Sequence, residues 1–232
     1  MEDEVASYRK TARIAGVLFI IATAASILSL PFLGSISASD YLTSVSANAN
    51  QIETAALLSF IAAAASASIA ISLYPVLRKY REGLALGAVG FRLIEGVFYL
   101  VAVVLLLVLL TLSQEFAKAG YPVSPYFQTL GVLLLAGYHV AGNVASLIAF
   151  SLGAMIYYYI FYQTRLIPRW LSAWGFLGVA LTLVAGILVM FSLIGPLSTG
   201  QVVLALPIAV NEMVLAVWLI VKGFNSSAII KN

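Results

Sequence analysis

The chain consists of long apolar stretches separated by short polar ones. About 20 consecutive apolar residues are enough to span the hydrocarbon core of a bilayer. Six stretches meet this criterion and predict six transmembrane helices, at 14–33, 52–77, 84–112, 130–159, 170–193 and 202–221. The longest connections between them are 34–51 and 113–128. Because no room is left for a soluble domain, we expect an all-α integral membrane bundle that forms one transmembrane domain over 1–232.

Composition supports this fold class. Hydrophobic residues make up 62% of the chain and charged residues 9%, with a mean hydropathy of +1.06. Soluble domains have roughly 45–50% apolar and about 25% charged residues. The bilayer is therefore the expected partner. The first apolar stretch is longer than the h-region of a typical signal peptide and follows acidic residues, so we expect it to be retained as a span.

The basic residues are distributed unevenly between the two sides of the predicted membrane. Lys118 stands alone on one side, and ten residues lie on the other: Arg9, Lys10, Arg13, Arg78, Lys79, Arg81, Arg165, Arg169, Lys222 and Lys231. The positive-inside rule then predicts that both termini are cytoplasmic. A cytoplasmic cell membrane of a bacterium or archaeon is the expected location. The basic residues form no continuous patch, so nucleic acid is not an expected partner.

The chain has no cysteine and one histidine, which limits the chemistry that it can perform. Disulfides, thiolate metal sites and cysteine nucleophiles are excluded. No His-Glu-x-x-His, Gly-x-Ser-x-Gly or P-loop motif is present. We therefore expect no metal and no cofactor, and we favour a non-enzymatic function over an enzymatic one.

Three ionisable residues lie inside predicted spans: Arg92 and Glu95 in the third and Glu212 in the sixth. A charge at the centre of a span costs on the order of 2.5–3.5 kcal/mol, so each needs a partner, a cavity or a proton. Arg92 and Glu95 are three residues apart and share one helix face. Arg92 can neutralise one of the two carboxylates. The second carboxylate must then carry a proton or meet a cation.

Further polar residues accompany these charges. Asn211 precedes Glu212, and His139 and Asn143 are four residues apart in the fourth span, with Ser146 continuing the stripe. If the polar faces converge, they form one ligand- or proton-binding site from Arg92, Glu95, His139, Asn143, Asn211 and Glu212. The alternative is a structural clamp that fixes the order of the helices.

Aromatic and small residues add two further expectations. Aromatic side chains gather at the predicted cytoplasmic ends of the fourth and fifth spans, where an interfacial belt is favoured over a ligand cage: Tyr157, Tyr158, Tyr159, Phe161, Tyr162, Trp170 and Trp174. Small residues, including Gly175 and Gly178, predict close helix packing and would also allow a homo-oligomer.

Three stretches carry a family resemblance. They are 84–96, with the core Phe-Arg-Leu-Ile-Glu; 165–178, Arg-Leu-Ile-Pro-Arg-Trp-Leu-Ser-Ala-Trp-Gly-Phe-Leu-Gly; and 207–224, with Asn-Glu-Met and Trp-Leu-Ile-Val-Lys-Gly-Phe. In these the chain resembles the membrane family called domain of unknown function 4386. The resemblance implies a polytopic membrane fold over nearly the whole chain. It assigns no activity.

Three functional hypotheses remain open from the sequence. The first is a protein that binds or transports a small polar or amphiphilic ligand or a proton, with Glu95 and Glu212 as the acting groups and Arg92 as counter-ion. The second is an intramembrane enzyme on a lipid-type substrate, with a glutamate as acid or base and His139 assisting. The third is a non-catalytic scaffold or sensor subunit.

Overall fold

The computed structural model describes residues 2–121, 125–225 and 228, and the regular elements in this part of the chain are all helices. Pro122 and Lys231, which the sequence places in a connection and on the basic side, lie outside the described residues. The α-helices are α1 (Glu2–Ser29), α2 (Tyr41–Ala47), α3 (Ala49–Lys118), α4 (Pro125–His139), α5 (Ser146–Thr164), α6 (Arg169–Met190) and α7 (Thr199–Val221). A 3-10 helix, Leu30–Ser37, follows α1, and a π-helix, Val140–Ala145, joins α4 to α5.

Five helical segments of the described chain are long and apolar enough to cross a membrane. The protein is therefore a multi-pass membrane protein. One of the five, α3, has 70 residues, and if it were straight it would measure about 105 Å, over three times the thickness of a hydrocarbon core. Its backbone leaves the helical conformation at Arg81, where φ is −151° and ψ is 84°. Arg81 lies between the second and third predicted spans.

The two arms of α3 fold back on each other at this break. Ser66 and Glu95 lie fifteen and fourteen residues from Arg81, yet their side chains are 2.8 Å apart. Along a continuous helix, 29 residues would separate them by about 43 Å. The arms, residues 49–80 and 82–118, are therefore antiparallel neighbours. Counting them separately divides the bundle into six apolar segments.

The structure differs from the predicted connections at one end of the bundle. The 3-10 helix and α2 occupy most of 34–51 and bury Leu33, Leu42 and Val45 against α3. The connection predicted at 113–128 is shorter, because α3 continues to Lys118 and α4 begins at Pro125. Apolar residues within the polar stretches explain the difference. These apolar residues extend α3, and they pack the 3-10 helix and α2 against it where a surface loop was expected. The 3-10 helix and α2 are called the packed cap.

The opposite end, here called the basic end, holds both ends of the described chain. A Cβ atom added at Gly223, just after α7, would lie 4.0 Å from side-chain atoms of Arg9 and Ala12 on α1. Beneath it, α1, α5, α6 and α7 enclose an aromatic core that includes Phe19, Tyr157, Tyr158 and Phe161. Two cavities lie between this core and the packed cap, near the middle of the bundle.

Candidate functional site

Arg92 and Glu95 form an ion pair on the second arm of α3. Their exposed fractions are 1% and 3%, and Arg92 Nη1 lies 3.1 Å from Glu95 Oε2. Ser66, on the first arm, donates a hydrogen bond from Oγ to Glu95 Oε1 at 2.8 Å. The guanidinium carbon of Arg92 is 4.8 Å from the ring centroid of Phe150 on α5. The charge of Arg92 is thus held between a carboxylate and an aromatic face.

This pair leaves hydrogen-bonding capacity unused. The 3.1 Å contact joins residues one turn apart on a single helix, and it does not have the angles of a hydrogen bond. Arg92 Nε, Arg92 Nη1 and Glu95 Oε2 are buried and have no hydrogen-bond partner among the described residues. Buried polar atoms are normally paired, because leaving one unpaired costs roughly 1–3 kcal/mol. Such atoms are available to a ligand.

A glycine on α5 makes room for Arg92. A Cβ atom at Gly153 would lie 3.1 Å from Arg92 Cγ and 3.3 Å from the carbonyl oxygen of Ala88. Both distances are shorter than ordinary van der Waals contact. Gly153 therefore allows α5 to approach the second arm of α3 closely, and this approach holds the arginine stem in place.

On α7, Asn211 and Glu212 have different roles. The Tyr158 hydroxyl donates to Asn211 Oδ1 at 2.6 Å, and Asn211 Nδ2 donates to the carbonyl oxygen of Leu171 at 3.1 Å. Asn211 thus ties α5, α6 and α7 together. Glu212 accepts a longer bond of 3.3 Å from the Tyr157 hydroxyl and also lines the central cavity.

The central cavity has a volume of about 250 Å³ and brings the three charged residues together. Arg92, Glu95 and Glu212 line it. Hydroxyl groups complete its polar surface: Thr23, Ser26, Ser66, Tyr99, Ser146 and Thr182. Arg92 also lies close enough to interact electrostatically with Glu212. With both carboxylates ionised, the charged groups around the cavity sum to −1.

A second cavity of about 170 Å³ adjoins the first, and Ser26, Ile27 and Tyr99 line both. Asn143 and Tyr138 belong to the second cavity. The two cavities together run from the charged residues toward the capped end of the bundle.

The structure does not place all six predicted site residues on one cavity. Arg92, Glu95 and Glu212 line the central cavity, and Asn143 lines the neighbouring one. Asn211 lines neither, because its side chain is hydrogen-bonded to Tyr158 and Leu171; these contacts are called the Asn211 clamp. His139 lines neither cavity; its Nδ1 lies 3.3 Å from Asn143 Nδ2. His139 and Asn143 thus keep the contact predicted from their spacing, whereas Ser146, which follows the π-helix Val140–Ala145, lines the central cavity.

The family model for a domain of unknown function (DUF4386) matches residues 14–223. The chain belongs to this family. The resemblance found in the sequence is thereby confirmed, and the matched range contains the whole central cavity and the Asn211 clamp. No curated protein and no solved structure matches the chain.

The contacts of two tyrosines with the site were not predicted from the sequence. Tyr157 and Tyr158 were expected in an interfacial belt, but both are fully buried and bonded to Glu212 and Asn211. Tyr159 and Trp170 are 41% and 55% exposed, as a belt requires. A signal was available, because successive residues on a helix point about 100° apart. Three tyrosines in a row therefore cannot all face the interface.

Tyr99, Ser66 and Phe150 were also missed. Tyr99 lies one turn beyond Glu95 on the same arm, and together with Ser26 of α1 it lines both cavities. No sequence pattern identifies Ser66 among the many small residues of the first arm. Its role depends on the fold-back at Arg81, which brings it against Glu95.

Proposed function

We propose that this protein binds a proton or a small cationic or polar group in its central cavity and passes it across the membrane. The proposal includes six membrane crossings with both termini in the cytoplasm. The observation that carries it is the joint position of Arg92, Glu95 and Glu212 on one cavity, with buried hydrogen-bonding atoms unpaired. A clamp alone would need no such cavity.

The charge balance favours a positive occupant. Glu95 already has Arg92 and Ser66 as partners, so Glu212 is the carboxylate that lacks a cation of its own. An uncompensated charge inside a membrane protein is costly, and a proton or a cationic group removes that cost. A group that also accepts hydrogen bonds would use the free Nε and Nη1 atoms of Arg92.

The lining of the cavity supports an approach from the bilayer. Ile27 on α1 is 56% exposed and lines both cavities, and Ala205 and Ala209 on α7 are half-buried in the wall of the central one. These residues bound the cavity on the α1–α7 side. The arrangement favours an amphiphilic ligand. It also supports a second candidate function, an intramembrane enzyme in which Glu212 acts as acid or base on a lipid-type substrate.

Infrared difference spectroscopy of the protein in lipid, titrated from acid to alkaline pH, tests the proposal. We expect a protonated-carboxyl band that responds to pH in the wild type, disappears in Glu212→Gln and persists in the control Glu53→Gln, since Glu53 is exposed and outside the cavity. The same variants in proteoliposomes with an imposed pH gradient separate transport from binding.

Two results would contradict the proposal. The first is a wild type with no pH-dependent carboxyl band. The second is a band that Glu53→Gln abolishes and Glu212→Gln leaves unchanged. A band that behaves as expected without any proton flux would restrict the function to binding or to the enzymatic candidate.

A further inference from the structure

A separate cavity of about 620 Å³ lies at the basic end of the bundle. One wall is the turn between α5 and α6, residues 165–169, and the other is the end of α7 with the residues that follow it, from Trp218 to Asn225. None of its lining residues lines the central cavity. Binding sites for small molecules commonly measure 300–1,000 Å³, so this cavity can hold a lipid headgroup.

Among the described residues, three cations and no acidic residue line this cavity. Arg165, Arg169 and Lys222 are exposed, and none forms an ion pair with a carboxylate of the described residues. Arg165 has left-handed backbone angles (φ 58°, ψ 27°) at the end of α5, which turns the chain toward α6. The guanidinium carbon of Arg169 lies 5.2 Å from the ring centroid of Tyr162. The local charge is therefore +3.

The backbone around the cavity also favours an anion. Helix α6 starts at Arg169, and no side chain in the described part of the chain caps it. A helix N-terminus presents free N–H groups and a positive dipole. Two carbonyl groups of the turn that follows α5 accept hydrogen bonds: the Asn225 N–H donates to Leu166 O at 2.8 Å, and its side-chain amide donates to Arg165 O at 3.4 Å. The three cations and the N-terminus of α6 thus favour an anion in this cavity.

The position of the cavity indicates where the anion comes from. Trp218 lines it, and Trp170, at the start of α6, is 55% exposed and stacked on Trp174 with ring centroids 6.4 Å apart. Exposed tryptophans of membrane proteins lie at the depth of the lipid headgroups. Leu166 and Phe224 supply a buried apolar floor beside the charges.

We propose that this cavity binds the phosphate group of an anionic phospholipid headgroup. Arg165 and Arg169 face the phosphate oxygens, Lys222 adds charge from α7, and the acyl chains extend along the exposed apolar surface of α6. Basic pockets between transmembrane helices are suited to this ligand, since a phosphate pairs with several guanidinium or ammonium groups at once.

The test is a binding titration of detergent-solubilised protein with short-chain phosphatidylglycerol, short-chain phosphatidylcholine and inorganic phosphate. The site variant is Arg165→Gln/Arg169→Gln/Lys222→Gln. The matched control, Lys10→Gln/Arg13→Gln/Arg78→Gln, removes the same charge from exposed positions on α1 and α3 outside the cavity. Arg78 is a close match for Arg169, because it also lies over a tyrosine ring, at 5.8 Å.

We expect saturable binding of phosphatidylglycerol to the wild type and the control, at least tenfold weaker binding to the site variant, and little binding of the other two probes. Equal losses in both variants would overturn the proposal in favour of general surface electrostatics. Binding of inorganic phosphate as tight as that of phosphatidylglycerol would overturn the lipid source. If the triple variant aggregates, Lys222→Gln, which lies beyond the end of α7, is titrated in its place with Lys10→Gln as control.

Discussion

Glu95 and Glu212 line the same cavity, but their surroundings differ. Glu95 has a guanidinium group 3.1 Å away and a serine hydroxyl 2.8 Å away, whereas Glu212 has one tyrosine hydroxyl at 3.3 Å among the described residues. A buried carboxylate with a cation and a strong donor already has its partners within the fold. One with a single weak donor is free to exchange its partner. The comparison separates a structural carboxylate from one that can handle a ligand.

The largest effect is expected from Arg92→Met, which removes the cation that both carboxylates share. Two buried carboxylates would then face one cavity without compensation. Breaking a buried ion pair by removing one partner typically costs 3–5 kcal/mol, so we expect the variant to unfold at a much lower temperature or not to fold. Thermal unfolding in detergent measures this, with the exposed Arg78→Met as control.

The double variant Arg92→Met/Glu95→Gln keeps this prediction testable if the single variant does not fold. It removes both members of the pair, and we expect it to recover most of the lost stability, because replacing a whole buried pair is far less costly than breaking one. A double variant no more stable than Arg92→Met would show that the charge pairing is not the reason for the loss.

The next test compares the carboxylates directly. Glu95→Gln leaves Arg92 without its closest partner, and we expect a loss of about 3 kcal/mol by the same argument. Glu212→Gln removes a carboxylate that forms no ion pair of its own among the described residues, so we expect a change within about 1 kcal/mol. Chemical or thermal unfolding of the two variants side by side gives the difference. Equal losses of unfolding free energy in the two variants would make Glu212 a second structural carboxylate. The proposed difference between Glu95 and Glu212 would then be wrong.

The sequence identified these charges but not the difference between them. The free-energy cost of a charge inside a membrane span was sufficient to select Arg92, Glu95 and Glu212. The length of the apolar stretches was sufficient to predict the apolar helices. The partners could not be predicted. Ser66 reaches Glu95 through the reversal at Arg81, and Tyr157 reaches Glu212 across a gap of 55 residues in the chain. Such contacts depend on helix packing and rotation, which apolar length does not specify.

His139 is a residue that the sequence placed in the site and that the structure leaves outside the two cavities. Its side chain contacts Asn143 as their spacing predicts, but the π-helix lies between His139 and Ser146, and Ser146 reaches the central cavity without it. No residue between Val140 and Ala145 is a proline, and Gly142 alone among them is a glycine. The local sequence therefore gave no strong signal for the change of helix type.

A smaller effect is expected at the support of the Asn211 clamp. A Cβ atom at Gly175 would overlap the ring of Tyr158, which donates to Asn211. Gly175→Ala should therefore displace this tyrosine and cost about 1–3 kcal/mol, as overpacking does. At Gly90 nothing lies within 4 Å of an added Cβ, so Gly90→Ala should be neutral or stabilise the helix by about 0.5–1 kcal/mol. Equal unfolding temperatures for the two variants would contradict the clamp.

The last comparison concerns the single hydroxyl groups that face the two carboxylates. Ser66→Ala removes a 2.8 Å bond to a charged acceptor, and hydrogen bonds to charged groups contribute about 1.5–3 kcal/mol. Tyr157→Phe removes a 3.3 Å bond, so we expect it to lower the free energy of unfolding by at most about 1 kcal/mol.

The two variants also differ in their expected infrared signature. Tyr157→Phe should shift the Glu212 carboxyl band while preserving most of the stability, because the hydroxyl contacts that carboxylate directly. Ser66→Ala should leave the band in place and lower the unfolding temperature. The reverse pattern would make Glu95 the exchangeable carboxylate and Glu212 the structural one.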